Sequence, residues 1–245
     1  MERYAIILMA GQSRRFGGED KCLAIIDGRP IVAYSFEAFR SAGIFDRYFF
    51  VYRDIVQREK LEIFLKNRYS AEVLSQVAWI SGGQERALSV YGALEVIYKQ
   101  FSVEAFVYIH DGARPLVTVE HILSIDALLS EDCGVVLGHR PTDTTVIVTS
   151  KSSNDITKNS LSNVEVTEMA QRSYPIRETL WALETPQAFY FPAIFKDYKA
   201  AIRLGRHLTD DSGVFSGTIK FLENRDLNLK ITVPRDLFFL QSINL

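Results

Sequence analysis

YAIILMAGQSRRFGGEDKCL, residues 4–23, runs from an apolar segment into a loop rich in glycine and cations. An unbroken apolar run from Tyr4 to Met9 ends in Ala10-Gly11, and Arg14, Arg15, Gly17, Gly18 and Lys21 follow before hydrophobic residues resume. A short apolar run bounded by glycine is the pattern of a strand buried on both faces. Glycine lets backbone N–H groups approach a ligand closely, while arginine and lysine neutralise negative charge. A buried strand emptying into such a loop suits a ligand with several negative charges, such as a polyphosphate. Neither GxxxxGK[ST] nor GxGxxG is present, so this is not a Walker loop or a dinucleotide fingerprint. A basic surface turn fits the same letters, and the rest of the chain has to decide between them.

Outward from that loop, strand-like and helix-like segments alternate. Pro30 opens a helical stretch to about Ala42, proline being tolerated in a first turn. Tyr48–Tyr52 reads as strand, Val56–Asn67 as helix, Val77–Ile80 as strand and Gln84–Gln100 as helix. In the last of these Ala87, Val90, Leu94, Ile97 and Phe101 recur at steps of three and four, the spacing of one buried helix face. Ala105–Ile109 is again strand-like, Val119–Leu129 helical and Gly134–Leu137 strand-like. Repeated βα units predict an α/β fold with a mainly parallel sheet and helices on both faces. Ligands of such sheets sit at the carboxyl ends of the strands, where the Ala10–Lys21 loop falls. From about Gly138 to Glu178 the pattern breaks into short β-prone pieces, Thr145–Thr149 and Val164–Thr167, around the polar stretch KSSNDITKNSLSN. An insertion of this kind reads as a mobile loop or a projecting arm. Helices are expected again at Pro192–Leu204 and Pro234–Ile243, with a strand at Leu229–Val233.

The bulk numbers narrow the class. A chain of 245 residues with 47% hydrophobic content suits one large domain with one substantial core. A net charge of −2 argues against a general nucleic-acid binder, so Arg14, Arg15 and Lys21 are to be judged as a site. Cys22 and Cys133, the two cysteines, form no CxxC and no disulfide framework, and read as ordinary thiols of a reducing compartment. A strand within four residues of the N-terminus leaves no room for a signal peptide, and no apolar run nears the ~20 residues of a membrane span. The expectation is a soluble, cytoplasmic protein.

Two further strand ends carry polar residues. After Ile80 comes SGGQERALSV, in which Gly82-Gly83 precede a helix whose first turn holds Gln84, Glu85 and Arg86. Free N–H groups and the positive end of the helix dipole would collect there. Ser89 lies one residue before a core position and reads either as a tolerated helix serine or as a hydroxyl facing the cleft. After Ile109 comes HDGARP, where Asp111 suits a hydroxyl or a metal ion and Arg114 a phosphate, unless the two simply pair with each other. Later, TPQ at Thr185–Gln187, TDD at Thr209–Asp211 and Lys230 in LNLKIT add hydroxyls, carboxylates and a cation. TDD equally reads as a helix N-cap with acidic first-turn residues. His110, His121, His139 and His207 lack metal-ligand spacing, and no GxSxG or other covalent-nucleophile signature occurs.

Taken in order, AGQSRRFG…K, GGQERxxSV, HDGARP, DTT, TPQ, TDD and NLKIT resemble the 2-C-methyl-D-erythritol 4-phosphate cytidylyltransferase family of the non-mevalonate isoprenoid pathway. The resemblance runs from Ala5 to Leu240. It implies one Rossmann-like α/β nucleotidyltransferase domain over residues 1–245, with a projecting β-arm at about 138–178 that completes the partner's active site in a homodimer. It implies that Ala10, Gly11, Ser13, Arg14 and Lys21 hold the triphosphate of CTP, and that Gly83, Gln84 and Ser89 read the cytosine. Gly112 would lie near the nucleoside, while Asp111, Arg114, Thr185, Thr209 and Lys230 would line the sugar-phosphate side. Thr144 and Arg177, on the arm, would reach the substrate phosphate of the neighbouring subunit. Ser13 stands where the family usually has a second loop glycine, Gln84 replaces an acidic residue and Gly112 an alanine. The Arg14–Lys21 segment is one residue short and the arm several residues long.

The implied reaction is attack of the acceptor's phosphate oxygen on the α-phosphorus of CTP, with Arg14, Lys21, Lys230 and a Mg²⁺ held mainly by CTP phosphates stabilising the charge. A phosphate monoester is already largely ionised at neutral pH, which agrees with the lack of a general-base signature. Alternatives that share the motifs are a cytidylyltransferase for another polyol phosphate such as ribitol 5-phosphate, a nucleotidyltransferase for another base or sugar phosphate, and a non-catalytic nucleotide-binding regulator.

Overall fold

The computed structural model describes residues 1–149, 156–158, 165–167 and 171–243. Two compact units emerge: Met1–Gly138 with Leu183–Leu245, and His139–Ala182. The first is built on a seven-stranded sheet whose strands, in chain order, are β1 (Glu2–Leu8), β2 (Arg47–Tyr52), β3 (Val77–Ser81), β4 (Ala105–Asp111), β5 (Cys133–His139), β6 (Ala182–Tyr190) and β7 (Thr218–Glu223). Their order across the sheet is β7-β5-β6-β4-β1-β2-β3. β1 runs parallel to β2 and β4, β2 to β3, and β5 to β7, while β6 is antiparallel to β4. The helices are α1 (Ile31–Ser41), α2 (Ile55–Arg68), α3 (Ala71–Ser75), α4 (Arg86–Gln100), α5 (Val119–Leu128), α6 (Phe191–Arg203) and α7 (Pro234–Ser242). The expected α/β class with helices on both faces is observed.

β1 explains the two-sided burial. Ala5, Ile7 and Met9 join one apolar cluster with Phe36 and Phe39 of α1, Leu61 of α2, Ile122 of α5 and Leu240 of α7. Tyr4, Ile6 and Leu8, pointing to the other face, join Val90, Leu94 and Ile97 of α4 and Phe191, Ile194 and Tyr198 of α6. Alternate residues of one strand therefore feed two helix layers, which is why its sequence is apolar throughout. From β1 the chain winds outward to β2 and β3, then returns to place β4 on the other side of β1. The loops after β1 and β4 thus diverge at a topological switch point, the crevice where open α/β sheets hold ligands.

Three expectations need correction. Leu229–Val233 is not a strand; the Ile231 N–H to the Ala113 carbonyl, 2.8 Å, and the Lys230–Asp111 ion pair tie it to the sheet's end, and among the described residues no partner strand runs beside it. α4 begins at Arg86, with Glu85 as its N-cap, instead of at Gln84. β7 was not expected, its residues being largely exposed, nor was β6, because Glu184, Thr185 and Gln187 spoil its apolar reading, yet all three are buried. Each is hydrogen-bonded inside the protein, so burial carries no unsatisfied-group penalty at the atoms involved.

In the second unit Ile147–Thr149 pairs antiparallel with Gln171–Ser173, and Ile156–Lys158 with Glu165–Thr167. Most of the polar stretch 151–163 lies outside the described residues. Arg140 stacks over the Trp181 ring at 4.3 Å and donates to the carbonyls of Glu178 and Leu180. No described helix is long and apolar enough to cross a membrane.

Candidate active site

The loop after β1 is shaped by a residue that is not glycine. Ser13 has φ 49° and ψ 30°, a left-handed conformation that costs an L-residue about 1 kcal/mol. Its carbonyl accepts from Phe16 N–H at 2.8 Å, starting a short turn over Arg14–Phe16, and buried Phe16 roots that turn in the core. Its hydroxyl accepts from the Lys21 N–H at 3.3 Å, which joins the two ends of the loop. Gly17 and Gly18, at φ 80° and 88°, complete the reversal. Arg53, just past β2, donates to the Gly11 carbonyl at 3.3 Å and pairs with Asp20 and Asp54.

The loop after β3 is glycine for lack of space. A Cβ on Gly82 would lie 2.3 Å from the Ala10 Cβ, and one on Gly83 2.5 Å from the Leu88 Cβ. The β1 and β3 ends can therefore touch only because Gly82 has no side chain. Ser89 is buried; its hydroxyl accepts from the Gly83 N–H at 3.0 Å and donates to the Glu85 carbonyl at 3.1 Å. Its hydroxyl thus stiffens the glycine turn at the start of α4.

β4 delivers Asp111, the hub of the charges. Lys230 Nζ lies 2.7 Å from Asp111 Oδ2, Arg86 Nε 3.3 Å from Oδ1 and Arg114 Nε 3.7 Å from Oδ2. Burial alone would raise the Asp111 pKa, but Arg86, Lys230 and Arg114 hold it far below the usual carboxylate range. Arg86 itself is gripped by Asp211 through two bonds of 2.9 and 2.7 Å, and Asp211 is 0% exposed. TDD is therefore not a helix cap: no helix follows it, and Asp211 is a buried counter-ion.

Burial also sets two neutral groups. The Cys22 thiol is pushed up to about 12 and stays protonated. His110, buried between Ser35, Thr185 and the Arg114 carbonyl, is pushed down to about 3 by desolvation. A buried imidazole held neutral favours the fold above its unfolded pKa of 6.5 and works against it as pH falls toward 3. Urea unfolding is therefore expected to show stability falling below pH 6.5 by up to ~1.4 kcal/mol per unit from this group. His110→Gln should have lower baseline stability and a flatter pH dependence between 6.5 and 5; an unchanged slope would refute the assignment.

A cavity of about 400 Å³ opens at these strand ends. Of the expected site residues, Ala10, Gly11 and Lys21 line it from β1, Gly83, Gln84 and Ser89 from β3, and Asp111 and Lys230 from the far side. Ser13 and Gly112 back this lining; a Cβ on Gly112 would meet the Leu8 carbonyl at 3.1 Å. Arg14 is exposed and hydrogen-bonded to Gln12, outside the lining. Arg114 donates to the Asn228 carbonyl at 2.8 Å, beneath the Lys230 segment. Thr185 is buried and accepts from the Asp111 N–H at 3.0 Å, and Thr209 is exposed away from the lining. Thr144 and Arg177 meet at 3.3 Å within the second unit. Two lining cations escaped the sequence reading: Arg86, read only as part of a helix start, and Arg53, which had no motif around it.

Among the described lining residues, Lys21 alone of the cations makes no ion pair, and burial, followed by Lys230, pushes its pKa down. No cluster of three or more His, Cys, Asp or Glu stands ready for a metal among the described residues. The lining carboxylates are Asp111 and Glu85, and both Asp111 oxygens already face cations. This donor set suits magnesium that takes its ligands mainly from phosphate oxygens and water.

A mainly parallel sheet that gathers glycine turns and cations around one cavity at its switch point defines a nucleotide-handling α/β protein. The chain belongs to the 2-C-methyl-D-erythritol 4-phosphate cytidylyltransferase family, whose model matches residues 4–244. Among curated relatives of that name, the Clostridium beijerinckii protein is 31% identical over 241 residues, covering 95% of this chain and 94% of its own. The Alkaliphilus oremlandii protein is 29% identical over 243 residues, covering 97% and 93%. The crystal structure of 4-diphosphocytidyl-2C-methyl-D-erythritol synthase from Anaerococcus prevotii superposes with a TM-score of 0.77 over 99% of this chain and 95% of its own, at 21% identity, and supports the fold.

Proposed function

We propose that the protein transfers the cytidylyl group of CTP to 2-C-methyl-D-erythritol 4-phosphate and releases pyrophosphate. Family membership supports the reaction, and the single observation that carries it is the convergence of Lys21, Lys230 and two glycine turns on one cavity. In the step proposed, an acceptor phosphate oxygen forms a bond to the α-phosphorus while the bond from that phosphorus to the bridging oxygen breaks. The electron pair leaves with pyrophosphate. With its second pKa near ~6 the acceptor phosphate is already an anion, so no side chain has to remove a proton. Lys21 and Lys230 would offset the charge that builds at the phosphorus and the departing oxygen. The β1 loop would hold the triphosphate, and Gly83 and Gln84 would face the base. Magnesium bound to the phosphates would add further charge compensation.

Turnover with CTP, Mg²⁺ and methylerythritol phosphate, beside ribitol 5-phosphate and beside UTP, GTP and ATP, tests the reading through pyrophosphate release. Faster release with ribitol phosphate would overturn the acceptor. Arg114→Ala is expected to raise the acceptor KM with little change in that for CTP, because its proposed contact is with the acceptor and not with CTP. An unchanged acceptor KM would count against this role.

We also infer a homodimer in which Thr144 and Arg177 reach a neighbouring subunit's substrate phosphate. Ile147, Tyr174 and Ile176, at 56%, 66% and 68% exposed on the second unit, supply apolar surface for such a partner. Sedimentation showing only monomer at assay concentration would defeat it. Two buried free thiols accord with work in the reducing cytoplasm.

A further inference from the structure

We propose that Arg86 and Asp211 form a positioning pair that aims the Asp111 carboxylate and, through it, the Lys230 ammonium. Every nitrogen of Arg86 faces a carboxylate oxygen: Nη1 and Nη2 lie 2.9 and 2.7 Å from Asp211, and Nε 3.3 Å from Asp111. A guanidinium spent in this way is a bracket, not a phosphate ligand. Asp211 is fixed in turn, being fully buried and accepting from the hydroxyl of Tyr198 on α6. Two charge-assisted bonds set the plane of the guanidinium, and that plane directs Nε onto Oδ1 of Asp111. Oδ2 is thereby left for Lys230, which it holds at 2.7 Å.

Lys230 needs such guidance. Its side chain is 40% exposed, rises from a segment with no strand partner, and ends in a point charge on a flexible four-carbon stem. Without Arg86 the Asp111 carboxylate is free to turn toward Arg114, which lies 3.7 Å from the same Oδ2, and Lys230 loses its fixed anchor. The bracket joins α6, α4, β4 and the Lys230 segment, and its two members stand 125 residues apart.

The kinetic part of the test rests on the proposed cytidylyl transfer. The paired variant Arg86→Gln/Asp211→Asn removes both charges together, so no buried charge is orphaned. Its melting temperature should stay within a few degrees of the parent. Two readings then decide. In the folded protein Lys230, measured by peptide mass spectrometry after brief acylation, should be labelled several-fold faster than in the parent. At saturating substrates kcat should fall ~10–100-fold, as when a reacting group is misplaced by about an ångström, while the KM for CTP changes little. A stable paired variant with parental kcat and parental Lys230 labelling overturns the proposal, as does a raised CTP KM at unchanged kcat. Arg86→Lys, which keeps the charge but reaches only one carboxylate, gives the same two readings if the paired variant does not fold. Labelling needs no turnover, so a parent protein inactive on CTP defeats the proposed function while the labelling rate still judges the bracket.

Discussion

Lys21→Ala is expected to lower kcat by ~10²–10³-fold, about 2.7–4 kcal/mol of transition-state stabilisation, the cost of deleting one preorganised charge donor. Lys21 differs from the other lining cations in a way that raises its weight. Arg53 is paired with Asp20 and Asp54, Arg86 with Asp211 and Asp111, and Lys230 with Asp111, whereas Lys21 makes no ion pair among the described residues. Its charge is partly desolvated and held in no ion pair, so it remains available to an incoming anion. Because desolvation of this cation opposes folding, the substitution should leave the melting temperature unchanged or higher, the stability–activity trade-off of a functional site. Steady-state kinetics at saturating CTP and a thermal melt check both halves. Near-normal turnover removes Lys21 from the mechanism.

Asp211→Ala should unfold the protein far more readily, by about 3 kcal/mol in urea titration, near the lower end of the ~3–5 kcal/mol cost of breaking a buried ion pair. The lower end applies because the Arg86 side chain keeps 26% exposure and can draw water from the cavity. The variant strips both Nη groups of Arg86 of their acceptors and leaves the Tyr198 hydroxyl without the carboxylate it donates to. For a chain of this size the melting point should drop on the order of 10 °C. A loss under 1 kcal/mol would mean that Arg86 finds another partner, and the account of a fixed bracket would fail with it.

The sheet was legible because β1 to β5 are nearly continuous apolar runs set off by glycine and polar turns, and the period of α4 shows its buried face directly. β6 hid because its polar residues are made burial-tolerant by partners far along the chain, Asn224 and Asn228 on Glu184 and Asp210 on Gln187. The Leu229–Val233 segment misled for the opposite reason: β-prone letters without a neighbouring edge to pair with. At the site, glycine turns and cations close to strand ends were readable one by one. Pairings such as Arg86 with Asp211 were not, since no local pattern links positions that meet only in the folded chain. Thr185 shows the limit of reading hydroxyls as ligands: its oxygen is occupied by the Asp111 N–H and His110.

The near-contact between Gly82 and Ala10 makes two strand termini behave as a single hinge-free part. If the β1 turn holds the triphosphate and the β3 turn the base, as proposed, whatever displaces one must displace the other with it. A nucleotide that seats its triphosphate tail badly would then be penalised at its ring as well, so discrimination at one end of the molecule is communicated to the other by contact alone.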